Sequence, residues 1–172
     1  TTAGEQYGPR ITPLTNGGFV VIWNSRGQVF DAAGNALGDE FTARGQTITA
    51  LTGGGFAIVW LNEGGTFARL FDATGTALGA DFFVGSIGSP NGEFSRQPQI
   101  TPLANGDFVV TWPTSGESGI DILARVFGAT GAPRGDAFPV NTTTSADRPQ
   151  ITALADGGFV VIWSNGGGIF GH

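Results

Sequence analysis

The chain has 172 residues, of which 40% are hydrophobic and only 13% charged, and its formal net charge is -6. This length predicts one compact domain with a sizeable core. All eight basic residues are arginine, so no basic patch is available for a phosphate backbone, which argues against a nucleic-acid partner. The longest apolar runs have about five residues, far fewer than the ~20 that span a bilayer, so we expect a soluble protein without membrane insertion.

One phrase occurs four times in the sequence, as "ITPLTNGGFVVIW", "ITALTGGGFAIVW", "ITPLANGDFVVTW" and "ITALADGGFVVIW". It opens on an isoleucine and closes on a tryptophan, and both series are spaced by 37, 52 and 51 residues. The members are Ile11, Ile48, Ile100 and Ile151, and Trp23, Trp60, Trp112 and Trp163. Repeats of this length, rich in strand signals and without helical periodicity, indicate propeller blades or a related β-array.

Each phrase predicts a β-hairpin. Asn-Gly or Asp-Gly stands between two apolar stretches in three of the copies, which favours a two-residue primed turn with positive φ at both positions. The second strand of the first unit, residues 19–23, is apolar on both alternating faces. We therefore expect this strand to be covered on both sides, as the middle strands of packed blades are.

Two further strands follow in each unit. A third strand is predicted in residues 27–34, 66–75 and 121–131, each ending at a Gly-bearing turn, and a short fourth strand ends at 82–84 and 138–140. Four antiparallel strands per unit is the blade pattern of a β-propeller. We predict an all-β single repeat domain of four propeller-like units at approximately 1–42, 43–84, 85–140 and 141–172.

The fourth unit is predicted to be incomplete. Its last stretch, "GGGIFGH", aligns with the third strand of the first unit, and its fourth strand is missing. Because an unpaired edge invites pairing, we expect closure by another copy of the chain or by sequence beyond this segment. A self-closed four-bladed ring with one thin blade is the third possibility.

Two strings carry a family resemblance: "RPQITALADGGFVVIW" at 148–163 and "DILARVFGATGAPRGDAFPVNTTTSADRPQ" at 121–150. They resemble the tandem repeats of very large secreted bacterial proteins of the haemolysin-type calcium-binding (RTX), adhesin-like kind. The resemblance implies an extracellular location, an all-β array and a role in adhesion or in the matrix rather than in catalysis. The chain departs from that kind because the glycine-rich nonapeptide calcium repeat is absent.

The sequence favours no catalytic centre. Its single histidine, His172, is the last residue, where it cannot be held against a nucleophile and a carboxylate. Glycoside hydrolysis needs two facing carboxylates. Most of the fourteen acidic residues have a better explanation, such as Asp31 and Asp72 in turns and Asp39, Asp81 and Asp136 at one recurring place before the fourth strand, and a recurring position serves the fold. We therefore expect a protein that is not an enzyme.

Calcium is the one cofactor that the sequence leaves open. In "SGESGID", residues 115–121, Glu117 and Asp121 share a flexible loop and offer the oxygen ligands that the ion prefers. No spacing matches the twelve-residue calcium loop, so a solvated loop is the favoured interpretation.

Two further residue sets are candidates for ligand contacts. Arg69 and Arg125 have equivalent third-strand positions, with Gln28 in the first unit, and they could donate to a ligand hydroxyl or carboxylate. Pairing with an aspartate of a neighbouring unit is the simpler account. The four tryptophans could stack on sugars, but they end buried runs, which favours core packing.

These observations predict a secreted, non-enzymatic binding or adhesion module. A glycan or cell-surface polysaccharide is the expected ligand, with Arg69, Arg125, Glu117 and Asp121 as candidate ligand-binding residues. The alternative is a structural or matrix repeat protein, a homo-oligomer or filament that self-associates through its open strand edges. A carboxylate-dependent glycan hydrolase is a minor third hypothesis.

Overall fold

The computed structural model describes residues 8–45, 47–88, 97–116, 119–141, 147–165 and 167–171. Within these ranges the chain forms fifteen strands in four antiparallel sheets and no helix, which confirms the predicted all-β repeat. No helix of membrane-spanning length and hydropathy occurs in the described part of the chain. Every sheet is a meander, since its strands pair in the order in which they follow one another.

The strands of the first two sheets have these bounds. Sheet 1 contains β1 (Arg10–Pro13), β2 (Phe19–Trp23), β3 (Arg26–Phe30) and β4 (Ala36–Thr42). Sheet 2 contains β5 (Thr47–Ala50), β6 (Phe56–Asn62), β7 (Gly65–Phe71) and β8 (Phe82–Gly85).

The strands of the last two sheets follow the same order. Sheet 3 contains β9 (Gln99–Pro102), β10 (Phe108–Gly116), β11 (Gly119–Phe127) and β12 (Phe138–Pro139). Sheet 4 contains β13 (Asp147–Ala153), β14 (Phe159–Asn165) and β15 (Gly168–Gly171). Sheet 4 has three strands in the described residues, which confirms that the fourth unit is incomplete.

The turn between the first two strands of each unit differs from the prediction. In sheet 1 the Gly17 nitrogen donates to the Leu14 carbonyl at 3.1 Å, which closes a four-residue turn. Gly17 has φ +86°, whereas Asn16 keeps a negative φ. The side-chain oxygen of Asn16 accepts the Gly18 nitrogen at 3.0 Å, so this residue serves as a cap. The predicted two-residue primed turn is therefore wrong.

Each sheet has two faces, which we name by direction along the chain. The rear face carries the opening Ile, the Phe and the Trp of the repeated phrase, for example Phe56 and Trp60 in sheet 2. The forward face carries the side chains between them, such as Val59, together with the leucine of the turn, Leu51. This division follows from the alternation of side chains across a strand.

Three hydrophobic cores join the sheets in series. In each core the forward face of one sheet packs on the rear face of the next, between sheets 1 and 2, sheets 2 and 3, and sheets 3 and 4. No cluster of the described residues joins sheet 4 to sheet 1. The self-closed four-bladed ring is therefore not what the described residues show.

Burial of the second strand depends on the place of its sheet in the series. Residues Phe56–Trp60 of β6 are all buried, and so are residues 108–112 of β10. In β2, burial alternates between buried Val20 and Ile22 and half-buried neighbours. The expectation of cover on both sides is thus confirmed for sheets 2 and 3. It is wrong for sheets 1 and 4, because among the described residues each of them packs on one neighbouring sheet.

Candidate functional site: a polar cavity between the first strands

The first strands of the four sheets lie next to one another around a cavity of about 540 Å³, which we call the axial cavity. All four units contribute side chains to it. The lining residues are Arg10, Ile11, Thr12, Thr47, Ile48, Gln97, Gln99 and Gln150. A cavity of this size is within the range of small-molecule sites in proteins.

A shared sequence position supplies four of these residues. Arg10, Thr47, Gln99 and Gln150 each stand directly before the isoleucine that opens the repeated phrase. The sequence analysis did not identify them. Their signal was available, because a polar residue precedes an apolar one at the same place in all four units.

The axial cavity presents mainly neutral hydrogen-bonding groups. The side-chain nitrogen of Gln99 donates to the Gln97 carbonyl at 3.5 Å, and that of Gln150 donates to the Pro149 carbonyl at 2.9 Å. A carboxamide has two N–H groups and an acceptor oxygen, so each glutamine keeps hydrogen-bonding capacity after this bond. The guanidinium of Arg10 forms no hydrogen bond or ion pair in the described part of the chain, and the residue is exposed.

A smaller cavity of about 150 Å³ adjoins the axial cavity and shares Thr47 and Gln97 with it. Its lining extends to Arg44 on the segment after β4 and to Trp60. Trp60 is 8% exposed and also belongs to the core between sheets 1 and 2.

Arg69 and Arg125 have equivalent places, as predicted, but each is bound within its own unit. The register pairs Arg69 with Ile58 and Arg125 with Val110. The Nε of each donates to the carbonyl ten residues later, Gly79 at 3.3 Å and Gly135 at 2.9 Å. Each guanidinium also lies over the phenylalanine two residues on, at 5.8 and 5.7 Å from the ring centroids.

The ion-pair partner of Arg69 corrects the sequence interpretation. Its Nη1 lies 3.6 Å from Oδ1 of Asp81, which belongs to the same unit and not to a neighbouring one. Gln28, at the equivalent place in sheet 1, is buried and donates to three backbone carbonyls, including that of Gly38 ten residues later. This position therefore ties the third strand to the fourth strand in sheet 1 and to the segment before the fourth strand in sheets 2 and 3. Neither arginine is among the described residues that line the axial cavity.

Asp121 lies on β11 opposite Thr114, and its Oδ1 accepts the Asn141 side-chain nitrogen at 3.3 Å. Glu117 and His172 lie outside the described residues. No group of three or more potential metal-ligating side chains occurs among the described residues. Asp121 therefore belongs to a strand and not to the predicted flexible loop, and calcium at this place stays a prediction.

The turn aspartates act as acceptors for the backbone, as the sequence analysis expected. Hydrogen bonds from the side chain and backbone of Asn35 lower the pKa of Asp31. Partial burial raises the pKa of Asp72, but bonds from Thr74 and Thr76 outweigh it and lower the pKa overall.

The third unit replaces this turn aspartate with Gly128. Arg134 lies against that glycine and binds Asp107 through Nε and Nη2, the shorter distance being 2.8 Å. The hydrogen bonds to Asp107 raise the pKa of Arg134. The third unit therefore has a bidentate Arg134–Asp107 ion pair next to this turn, whereas the first two units have an aspartate that caps the turn.

The repeat tryptophans pack in the cores. Trp60, Trp112 and Trp163 are 8%, 0% and 5% exposed, while Trp23 is half-buried. Trp112 also donates its Nε1 hydrogen to the Ser86 carbonyl at 3.0 Å. Burial of three rings agrees with core packing and leaves those rings no open face for a sugar.

Comparisons with known proteins identify the fold alone. No family model matches the chain, and no curated protein matches it. A crystal structure of a protein of unknown function from Bacteroides caccae is similar, with a TM-score of 0.57 and 14% sequence identity. The match covers 94% of this chain and 54% of that one, so the chain spans about half the length of this structural relative.

Proposed function

We propose that the protein is a non-enzymatic binding module whose ligand is a glycan held in the axial cavity. The observation that carries this proposal is the convergence of one polar residue from each unit, Arg10, Thr47, Gln99 and Gln150, on one cavity. Carboxamides and hydroxyls both donate and accept hydrogen bonds, so they match a sugar's hydroxyl groups without requiring a charged ligand. The exposed guanidinium of Arg10 adds a donor suited to the carboxylate of an acidic sugar.

The proposal includes a propeller-like arrangement of the four sheets. Two observations support it: the sheets follow one another with forward face on rear face, and their first strands lie side by side around the axial cavity. Blades of a propeller pack in this way, with their innermost strands at the axis. Repeats of such a kind present equivalent residues from every unit to one central ligand.

The extracellular location is part of the same proposal and rests on the resemblance to repeats of large secreted bacterial adhesin-like proteins. A polysaccharide at the cell surface would then be the natural ligand. A calcium ion is part of this proposal through Asp121 on β11, whose carboxylate accepts a hydrogen bond from Asn141 close to the turn of the β10–β11 hairpin.

A glycan array probed with the purified chain, once with calcium and once with chelator, tests the proposal. We expect binding to one glycan class. Two cavity variants, Gln99→Ala and Thr47→Ala, should weaken that binding, because each removes hydrogen-bonding groups from the cavity wall. Thr15→Ala is the matched control, since Thr15 is exposed on the β1–β2 turn and does not line the cavity.

The other outcomes are equally informative. A blank array in both conditions would overturn the glycan proposal. Binding that is lost in Arg69→Ala or Arg125→Ala, but kept in the cavity variants, would move the site to the third strands. Binding that occurs with calcium and is lost with chelator would assign a metal ion to the ligand site, and Asp121 would then be the first residue to substitute.

The second candidate function is structural self-association. The observation in its favour is a pair of exposed apolar sheet faces, one at each end of the series of sheets.

A further inference from the structure

We propose that two copies of the chain join face to face, with the forward face of sheet 4 in one copy packed on the rear face of sheet 1 in the next. This junction would repeat the packing of the three cores within the chain. It uses sheet faces, unlike the edge pairing expected from the sequence, and it does not depend on the identity of the glycan.

The leucine of the first turn shows that one forward face is unfilled. Leu14, Leu51 and Leu103 are 5%, 7% and 5% exposed, and each is buried by the following sheet. Leu154, at the same place in sheet 4, is 41% exposed. The same residue in the same turn is thus covered three times and open once.

The second strand of sheet 4 is also uncovered on its forward face. Ile22, Val59 and Thr111 are 3%, 0% and 0% exposed at a position where Ile162 is 44% exposed. Ile169 lies on this face as well, because its neighbour in the register is Ser164, two residues beyond Ile162, and it is 80% exposed. The forward face of sheet 4 therefore exposes three large apolar side chains, Leu154, Ile162 and Ile169, beside the polar Gln150 and Ser164 of the same face.

The rear face of sheet 1 is the complementary surface. Ile11 is 66% exposed, whereas Ile100 at the same place in sheet 3 is 8% exposed. Phe19 and Phe30 stack on this face with ring centroids 5.1 Å apart.

The equivalent phenylalanine pairs of sheets 2 and 3 are buried against the preceding sheet. Phe56 stacks on Phe71 at 4.9 Å, and Phe108 on Phe127 at 5.5 Å, and all four rings are buried. The rear face of sheet 1 thus has the same aromatic surface as the rear faces of sheets 2 and 3, but no described sheet packs on it.

A second copy is the occupant that fits both surfaces at once. Every junction within the chain joins a forward face to a rear face, and the two unfilled halves of such a junction lie at opposite ends of one chain. The contact is heterologous, so it closes a ring if the rotation permits and otherwise continues as an open assembly.

Sedimentation equilibrium over a wide range of protein concentration tests this junction. The unaltered chain should associate, as a fixed ring or with a mass that grows with concentration. Ile11→Asp and Ile162→Asp should each weaken association by at least about 30-fold, since each places a charge at the centre of an apolar contact. Leu78→Asp, which changes an exposed leucine outside both faces, should associate like the unaltered chain.

Mixing the two variants distinguishes this junction from other modes of self-association. Each variant keeps one intact face, so an equimolar mixture should form a heterodimer through the Ile162 face of one and the Ile11 face of the other. Circular dichroism of both variants verifies that they fold. The proposal is overturned by an unaltered chain that stays monomeric throughout, by a mixture that fails to form the heterodimer, or by one variant that associates normally while the other does not.

Discussion

The two inner sheets and the two outer sheets contain nearly the same phrase and bury it differently. In sheets 2 and 3 the second strand is covered on both faces, while in sheets 1 and 4 one face is covered and the other is open. Leu103 and Leu154 occupy the same turn position and are 5% and 41% exposed. The repeat thus encodes a unit with two packing faces, and the number of neighbours decides how many of them are used.

The largest expected effect comes from the tryptophan that closes the phrase. Trp112→Ala removes a fully buried ring and should lower the free energy of unfolding by about 3–5 kcal/mol. Trp23→Ala removes a half-buried ring and should cost less than about 2 kcal/mol. Urea denaturation at a concentration where the chain is monomeric measures both. Should Trp112→Ala fail to fold, Trp112→Phe gives a smaller loss in the same direction, and equal losses at the two sites would contradict the comparison.

The turn leucines provide the second contrast. We expect Leu103→Ala to lower the free energy of unfolding by about 2–5 kcal/mol, because it leaves a cavity between sheets 3 and 4. Leu154→Ala should cost less than about 1 kcal/mol in the monomer, because its side chain is partly exposed already. The same denaturation experiment at high protein concentration sharpens the test, since the Leu154 effect should increase if the outer faces meet.

Thr111 is a polar residue at an apolar position of the repeat, and its replacement should stabilise the fold, whereas the substitutions above destabilise it. Thr111 is fully buried, and its hydroxyl has no hydrogen-bond partner in the described part of the chain. The other units have Ile22, Val59 and Ile162 at this place. Thr111→Val should therefore raise the free energy of unfolding by about 1 kcal/mol.

The control for this variant is Thr76→Val in an exposed turn, where the hydroxyl lies 3.2 Å from that of Thr74. It should bring no gain. A loss of stability in Thr111→Val would show that the buried hydroxyl has a partner after all.

The smallest effect concerns the turn aspartates of the first two units. The pKa of Asp72 is lowered in the folded chain, so its carboxylate stabilises the fold above the unfolded pKa of about 3.9, and this contribution is lost as the pH falls through the folded value. Asp72→Ala should therefore lower the melting temperature at pH 7 and make progressively less difference below about pH 4.

Thermal unfolding followed by circular dichroism between pH 2.5 and 7 measures this dependence. Asp39→Ala, at an exposed aspartate whose side chain makes no hydrogen bond in the described residues, is the control and should change the melting temperature little. A loss in Asp72→Ala that is the same at every pH would assign the effect to chain conformation and not to charge.

The arginine position shows where sequence reasoning stopped short. Equivalence of Arg69, Arg125 and Gln28 was predicted from spacing, and the strand register confirms it. Their hydrogen bonds to carbonyls ten residues later depend on how the third strand and the following segment fold against each other. Spacing cannot reveal that contact, and a ligand role for Arg69 and Arg125 stays a prediction.

The sequence by itself determined the elements of this protein: the number of units, the strands that the structure describes in each, and the faces that alternate along Phe-x-x-x-Trp. These are local properties, set by side-chain alternation and by turn residues. Only the tertiary structure decided which faces are buried and which residues meet in the axial cavity. Burial depends on a neighbouring sheet, and the convergence of Arg10, Thr47, Gln99 and Gln150 depends on bringing together strands that are far apart in the chain.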